Sequence, residues 1–169
     1  GSSGTVAVIN RSGNLRIKVN NYYTLGGSAS SRHEQGQMHI PLLLHPDPKS
    51  VFVLGMGTGI TGGAALDHPV ERVVVCELIP EVISASQEYF GAYTNRLFDD
   101  ERIEIVAEDG RNYLQSTSEK FDVIVADLFF PWRRGAGFLW TREHFQGVRS
   151  RLNEDGLFAQ WLPLYQLSK

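Results

Sequence analysis

The sequence predicts a doubly wound α/β domain, a parallel sheet covered by helices on both faces, preceded by an antiparallel β arm. Three observations carry that expectation. Near-continuous Val/Ile runs recur at SVFVLG (50–55), RVVVCE (72–77) and FDVIVAD (121–127), as strands buried on both faces require. Helical patterns lie between such runs, around 59–66, 80–90, 110–116 and 141–152, and strands alternating with helices build βαβ units. Ahead of them TVAVIN and NLRIKVN alternate apolar and polar residues around the turn RSGN, which is a hairpin pattern.

Taken in order, the hairpin is followed by YYTLGGSASS, a third short strand fading into a loop, so residues 1–35 form the arm. From GQMHIPLLLHP onward the character changes, and a short apolar helix stops near Pro46 and Pro48, since proline cannot donate to the helix ladder. The remaining strands are RIEIVAED (102–109) and GLFAQWLP (156–163). The last helix opens on Thr141, a capping residue, with Glu143 and His144 in its first turn. Residues 36–169 thus read as one nucleoside-binding α/β domain, and 169 residues at 42% hydrophobic are enough to bury a core.

Composition narrows the partners. A net charge of −3 with both signs interspersed gives no footprint for nucleic acid, which leaves a small molecule as the expected ligand. The longest apolar stretches, such as VIVADLFF, have strand length and are broken by a charge. Direct membrane insertion is therefore not expected, no secretory signal is visible, and a cytoplasmic location follows as the default. The single cysteine, Cys76, lies inside RVVVCEL, which excludes a disulfide framework and reads as a core residue. The five histidines show no pair four apart with an acid between, so no metal site is expected.

Ligands of open α/β sheets sit beyond the carboxyl ends of the strands. The first strand ends in GMGTGITGG, where Gly55, Gly57 and Gly59 let the backbone approach a ligand. GTGITG satisfies the dinucleotide spelling, but that register starts two residues late, because the strand stops at Gly55. The second strand ends in Glu77, 22 residues after Gly55, where a carboxylate can accept from both ribose hydroxyls. The third ends in Glu108, Asp109 and Gly110, and the fourth in Asp127. Three successive strands deliver an acid to one rim, which suits adenine, ribose and a cationic sulfonium. Asp109 before GRNYLQ and Glu77 before LIPEV also fit the start of a helix. Asp127 fits capping poorly, because a Pro- and Gly-containing loop follows it.

Four segments, HIPLLLHPDPKSVFVLGMGTG, HPVERVVVCELIPEVISASQEYF, EDGRNYL and FDVIVADLFFP, together resemble the spermidine synthase (polyamine aminopropyltransferase) family over nearly the whole chain. The resemblance is closest to the spermidine-synthase-like domains fused to membrane-transporter segments, where endings like QWLPLYQLS also occur. It implies a sheet of the S-adenosylmethionine-dependent methyltransferase type and a site for decarboxylated S-adenosylmethionine. Gly55, Gly57 and Gly59 would lie beside the sulfonium, Glu77 on the ribose, Asp109 near the adenine, and Asp127 at the reacting amine of a small acceptor, with Glu108 a further cofactor-binding residue. The resemblance also implies two more strands after the last one here, and a homodimer paired through the arm.

Two departures stand out. Phe130 and Thr58 occupy positions where the family carries acids, and Arg133 and Arg134 add positive charge nearby, so a diamine such as putrescine is poorly served. Phe129, Phe130 and Trp132 either line the site or pack the loop onto the core. Three functions stay open: aminopropyl transfer, methyl transfer from intact S-adenosylmethionine, and a non-catalytic nucleoside-binding or dimerisation module.

Overall fold

The computed structural model describes residues 4–21, 23–127 and 136–162. The arm is a three-stranded antiparallel sheet of β1 (Val6–Arg11), β2 (Asn14–Val19) and β3 (Tyr23–Gly27), in that spatial order. Its first turn carries Ser12 and Gly13 at φ 52° and 85°, the left-handed pair that matches strand twist in a two-residue hairpin. Val6, Val8, Leu15 and Ile17 point to one face of the arm and pack on Ile60 and Phe90, which docks the arm on the larger domain.

That domain holds a five-stranded parallel sheet of β4 (Ser50–Leu54), β5 (Arg72–Cys76), β6 (Ile103–Val106), β7 (Phe121–Ala126) and β8 (Leu152–Gln160). Their order is β6-β5-β4-β7-β8. The chain therefore moves outward from β4 to β6, then returns to the other side of β4 at β7, and the switch falls between the carboxyl ends of β4 and β7. Both expected features, the parallel sheet and the separate antiparallel arm, are present.

The Val/Ile runs are continuous because alternate residues enter two different cores. Val51, Val53, Val73, Val75, Val123 and Val125 face Met38 and Leu42. Phe52, Leu54, Val74, Cys76, Ile124 and Ala126 face Leu114, Leu139 and Val148 on the opposite side. Cys76 is among these buried residues, and burial first, then the nearby carboxylates, push its thiol up to about 12, so it stays neutral and inert.

The helices are α1 (Ser31–Leu44), α2 (Ile60–Gly63), α3 (Pro80–Phe90), α4 (Gly110–Ser116) and α5 (Arg142–Ser150). Two boundaries differ from expectation. The first helix begins at Ser31 rather than near Gly36, and it runs through Pro41. Proline leaves the carbonyl of Gln37 without its helical donor, and the indole Nε1–H of Trp161 supplies one instead at 3.4 Å. The last strand begins at Leu152 rather than Gly156, with a register shift against β7 and Asp155 at φ 62°. Such a bulge breaks the alternation by which a strand is recognised. Among the described residues no helix is long and apolar enough to cross a membrane.

At the amino ends of the strands, Asp122 ties three of them together. Its carboxylate accepts from the backbone N–H groups of Lys49 and Ser50, both at 2.8 Å, from the Ser50 hydroxyl at 3.0 Å and from Asn153 Nδ2 at 2.7 Å. Burial opposes its charge, but these donors outweigh burial and hold its carboxyl below the usual aspartate range. The sign follows: the stability Asp122 supplies is fully present above the ordinary aspartate pKa of about 3.9 and is lost as pH falls through its depressed value. Asp122→Ala is expected to cost roughly 2–3 kcal/mol in urea unfolding at pH 7, with a smaller difference from the wild type at pH 3.

Candidate active site

The switch point is occupied by the loop from Gly55 to Gly59, whose three glycines hold φ of 90°, 53° and 81°. Side chains rarely adopt these angles, so the run GMGTG is a backbone requirement. Gly59 is crowded as well: a Cβ there would stand 2.8 Å from Leu97 Cδ2 and 2.9 Å from Ser86 Oγ. The Ser86 hydroxyl also donates to the carbonyl of Thr58 at 2.5 Å, which clamps the loop from α3. The helix after the loop spans only four residues, Ile60–Gly63, all buried.

Glu77 follows β5 and is 7% exposed. Its Oε2 accepts from the N–H groups of Met56 at 3.0 Å and Gly57 at 3.3 Å, and its Oε1 accepts from Ile79 at 3.0 Å. One carboxylate therefore braces the glycine loop and starts α3. Burial pushes its carboxyl above the usual range even though the backbone donors pull the other way.

At the end of β6, Asp109 caps α4. Its Oδ1 accepts from Arg111 N at 2.9 Å and its Oδ2 pairs with the Arg111 guanidinium at 2.7 Å. The Arg111 hydrogen bond is the main reason its carboxyl sits below the usual range. Glu108 is exposed beside it, and Gly110 is buried, where a Cβ would meet Leu54 Cγ at 2.9 Å. Arg111 also lies 5.1 Å over the Phe138 ring, at a cavity of about 350 Å³ between α4 and α5 that His144 and Val148 help to line. His144 is buried there with no hydrogen-bond partner at Nε2 among the described residues, and burial, then Arg111, holds its imidazole below the usual range.

Asp127 stands at the end of β7, its N–H donating to the carbonyl of Leu54 at 3.2 Å. Its carboxylate faces the glycine loop, with Oδ2 3.6 Å from where a Cβ on Gly57 would stand. Gly55, Gly57, Gly59, Glu77 and Asp127 thus lie beyond the carboxyl ends of β4, β5 and β7, and Glu108 and Asp109 beyond that of the outer strand β6, on the same side of the sheet. Phe129, Phe130, Trp132, Arg133 and Arg134 lie outside the described residues.

Glu34 is a residue that the strand ends did not point to. From α1 its Oε1 accepts from the Gly27 N–H at 3.0 Å and the Ser30 hydroxyl at 2.6 Å, while its Oε2 accepts from the Thr58 hydroxyl. Beside it, Thr61 Oγ1 donates to the Glu34 carbonyl and to Gln37 Oε1, both at 3.1 Å. A carboxylate therefore borders the loop at Thr58 although the loop residue is neutral. The signal was present in the spacing: Glu34 and Gln37, three apart, share a helix face that otherwise buries Met38 and Leu42.

Glu77→Ala leaves three backbone N–H groups without their acceptor and is expected to lower stability by about 2–4 kcal/mol, read from urea unfolding. An unchanged midpoint would mean that the loop holds itself.

Comparison with known proteins agrees with this arrangement. The profile of the spermine/spermidine synthase domain matches residues 32–161. A polyamine aminopropyltransferase of Thermotoga petrophila is 40% identical over 122 residues, which is 72% of this chain and 41% of that protein. That of Aeropyrum pernix is 31% identical over 158 residues, 91% of this chain and 50% of that protein. Among solved structures, a spermidine synthase in complex with the transition-state analogue AdoDATO superimposes with a TM-score of 0.83 at 32% identity, over 95% of this chain and 56% of that one. Human methyltransferase-like protein 13 in complex with SAH, at TM-score 0.57, 21% identity and 77% and 61% coverage, shares the fold. The chain spans about half the length of the relatives it matches. On the match over residues 32–161, this chain belongs to the spermine/spermidine synthase family.

Proposed function

We propose that this chain binds decarboxylated S-adenosylmethionine and transfers its aminopropyl group to an aliphatic amine. One observation carries the reading: the Asp127 carboxylate faces Gly57 across the β4/β7 switch point. An anionic group there borders the stretch of backbone that a ligand can approach most closely. The spermidine synthase that superimposes on the chain was solved with the transition-state analogue AdoDATO, which supports a site of this kind. Gly55, Gly57 and Gly59 serve the sulfonium, Glu77 the ribose, and Asp109 with Glu108 the adenine. The arm, read from the sequence as residues 1–35, pairs across a homodimer, a reading that its own sheet and the exposed edge residue Ile9 support.

The chemistry is an in-line displacement. The amine lone pair attacks the methylene bonded to sulfur, the C–N bond forms as the C–S bond breaks, and the electron pair returns to sulfur, giving neutral methylthioadenosine. The new ammonium then sheds a proton. An alkyl ammonium has a pKa near 10.4 and an aspartic acid near 3.9, so Asp127 orients the amine and accepts the proton as the bond forms rather than acting as a strong base.

Calorimetric titration with methylthioadenosine, intact S-adenosylmethionine and decarboxylated S-adenosylmethionine is expected to show preference for the decarboxylated form. Preference for the intact form would favour methyl transfer, and no binding would leave a scaffold. With an active acceptor in hand, Asp127→Asn is expected to lower turnover roughly 100-fold or more while leaving methylthioadenosine affinity within a few fold. Full turnover in that variant would remove Asp127 from the reaction.

A further inference from the structure

We propose that Glu34 recognises the terminal ammonium of the donor's aminopropyl chain and selects the decarboxylated donor over the intact one, an inference that rests on the donor reading above. Three observations point to it. First, the hydrogen-bond donors to Glu34 are neutral: the Gly27 N–H, the Ser30 hydroxyl and the Thr58 hydroxyl. Among the described residues no Lys, Arg or His forms an ion pair with it, unlike Asp109, whose charge Arg111 balances.

Second, Glu34 is half-buried, where an unbalanced charge is costly and a bound cation is the natural compensation. The absence of a side chain at Gly26 lets the carboxylate sit against the arm beside Thr58: a Cβ there would lie 2.8 Å from Glu34 Oε1 and 2.9 Å from Thr58 Cγ2. Third, the neighbouring loop residues Gly57 and Thr58 are bordered by acceptors. The Leu25 carbonyl and Asp127 Oδ2 stand 3.4 and 3.6 Å from a Cβ built on Gly57, and Glu34 Oε2 holds Thr58.

The ligand chemistry fits this charge. The decarboxylated donor carries a sulfonium and, three carbons away, an ammonium. The intact donor bears a carboxylate on the same carbon as that ammonium. A carboxylate facing this end of the chain attracts the first and repels the second, which is discrimination by a built-in clash as much as by a contact. Methylthioadenosine lacks both groups and is blind to Glu34.

The test is titration of the wild type, Glu34→Gln and Glu34→Asp with all three ligands. Glu34→Gln keeps the shape and an acceptor for the loop while removing the charge. It is expected to weaken the decarboxylated donor roughly 10- to 100-fold, to leave methylthioadenosine within about threefold, and to narrow the preference over intact S-adenosylmethionine. Glu34→Asp withdraws the carboxylate by one methylene and is expected to show a smaller loss of the same kind; it carries the test if the glutamine variant does not fold. An equal loss for every ligand, or an unchanged preference, overturns the inference and leaves Glu34 as a brace for Thr58. The two failures are separable: a wild type that binds methylthioadenosine and prefers the decarboxylated donor, with variants that share that preference, ends this inference alone. A wild type that binds none of the three ends the donor reading and this inference with it.

Discussion

The Glu77 carboxylate, buried against the backbone N–H groups of Met56 and Gly57, is the interaction on which the rest of the site depends. A loop with three left-handed glycines has little intrinsic preference for one shape, because glycine loses more backbone freedom on ordering than any other residue. Glu77 removes that freedom by hydrogen bonding from the next strand, and its third bond, to Ile79, starts the helix whose Ser86 clamps the loop from the far side. Loop, strand and helix are thereby set as one piece. The cost is a carboxylate held mostly out of water, which three backbone donors offset only in part.

The sheet puts this piece where it is useful. Because β4 lies at the centre with β5 on one side and β7 on the other, the loop after β4 and the acid after β7 are forced to be neighbours although 72 residues separate Gly55 from Asp127. Two apolar layers, one on each face, keep the strands in register, and Asp122 fastens β4, β7 and β8 at the end away from the site. The arm adds a third wall. Its own small core rests on Ile60 and Phe90, and Glu34 links its last strand to the glycine loop.

The acids at the rim differ in the contacts that hold them. Asp109 is a helix cap paired with Arg111, and Glu77 accepts from three backbone N–H groups. Glu34 accepts from neutral donors, and the Asp127 carboxylate lies beside Gly57. Asp109 and Glu77 thus brace the rim while bordering it, and Glu34 adds a carboxylate beside the loop that no cationic side chain pairs with among the described residues.

Much of this was legible in the chain itself. The continuous Val/Ile runs declare strands buried on both faces, the glycine spacing declares a loop of special backbone, and the strand-end acids follow from the position of each run, since these are local properties of a few consecutive residues. The start of α1 was missed because its first residues, SRHEQ, are all polar and read as the end of the preceding loop, and only the folded chain brings Trp161 to the Gln37 carbonyl that Pro41 leaves unpaired. The start of β8 was missed because a bulge breaks its alternation. Thr58 read as the loss of a charge for a similar reason: Glu34, which stands beside it, is 24 residues away and joins it only when α1 packs across the switch point. By itself the sequence determined the sheet, the glycine loop and the rim of acids, because periodicity and backbone conformation are encoded locally. Only the tertiary structure decided how deeply each of those acids is buried and which groups brace Glu77 and Asp109, because hydrogen-bond partners and burial are properties of packing between distant segments.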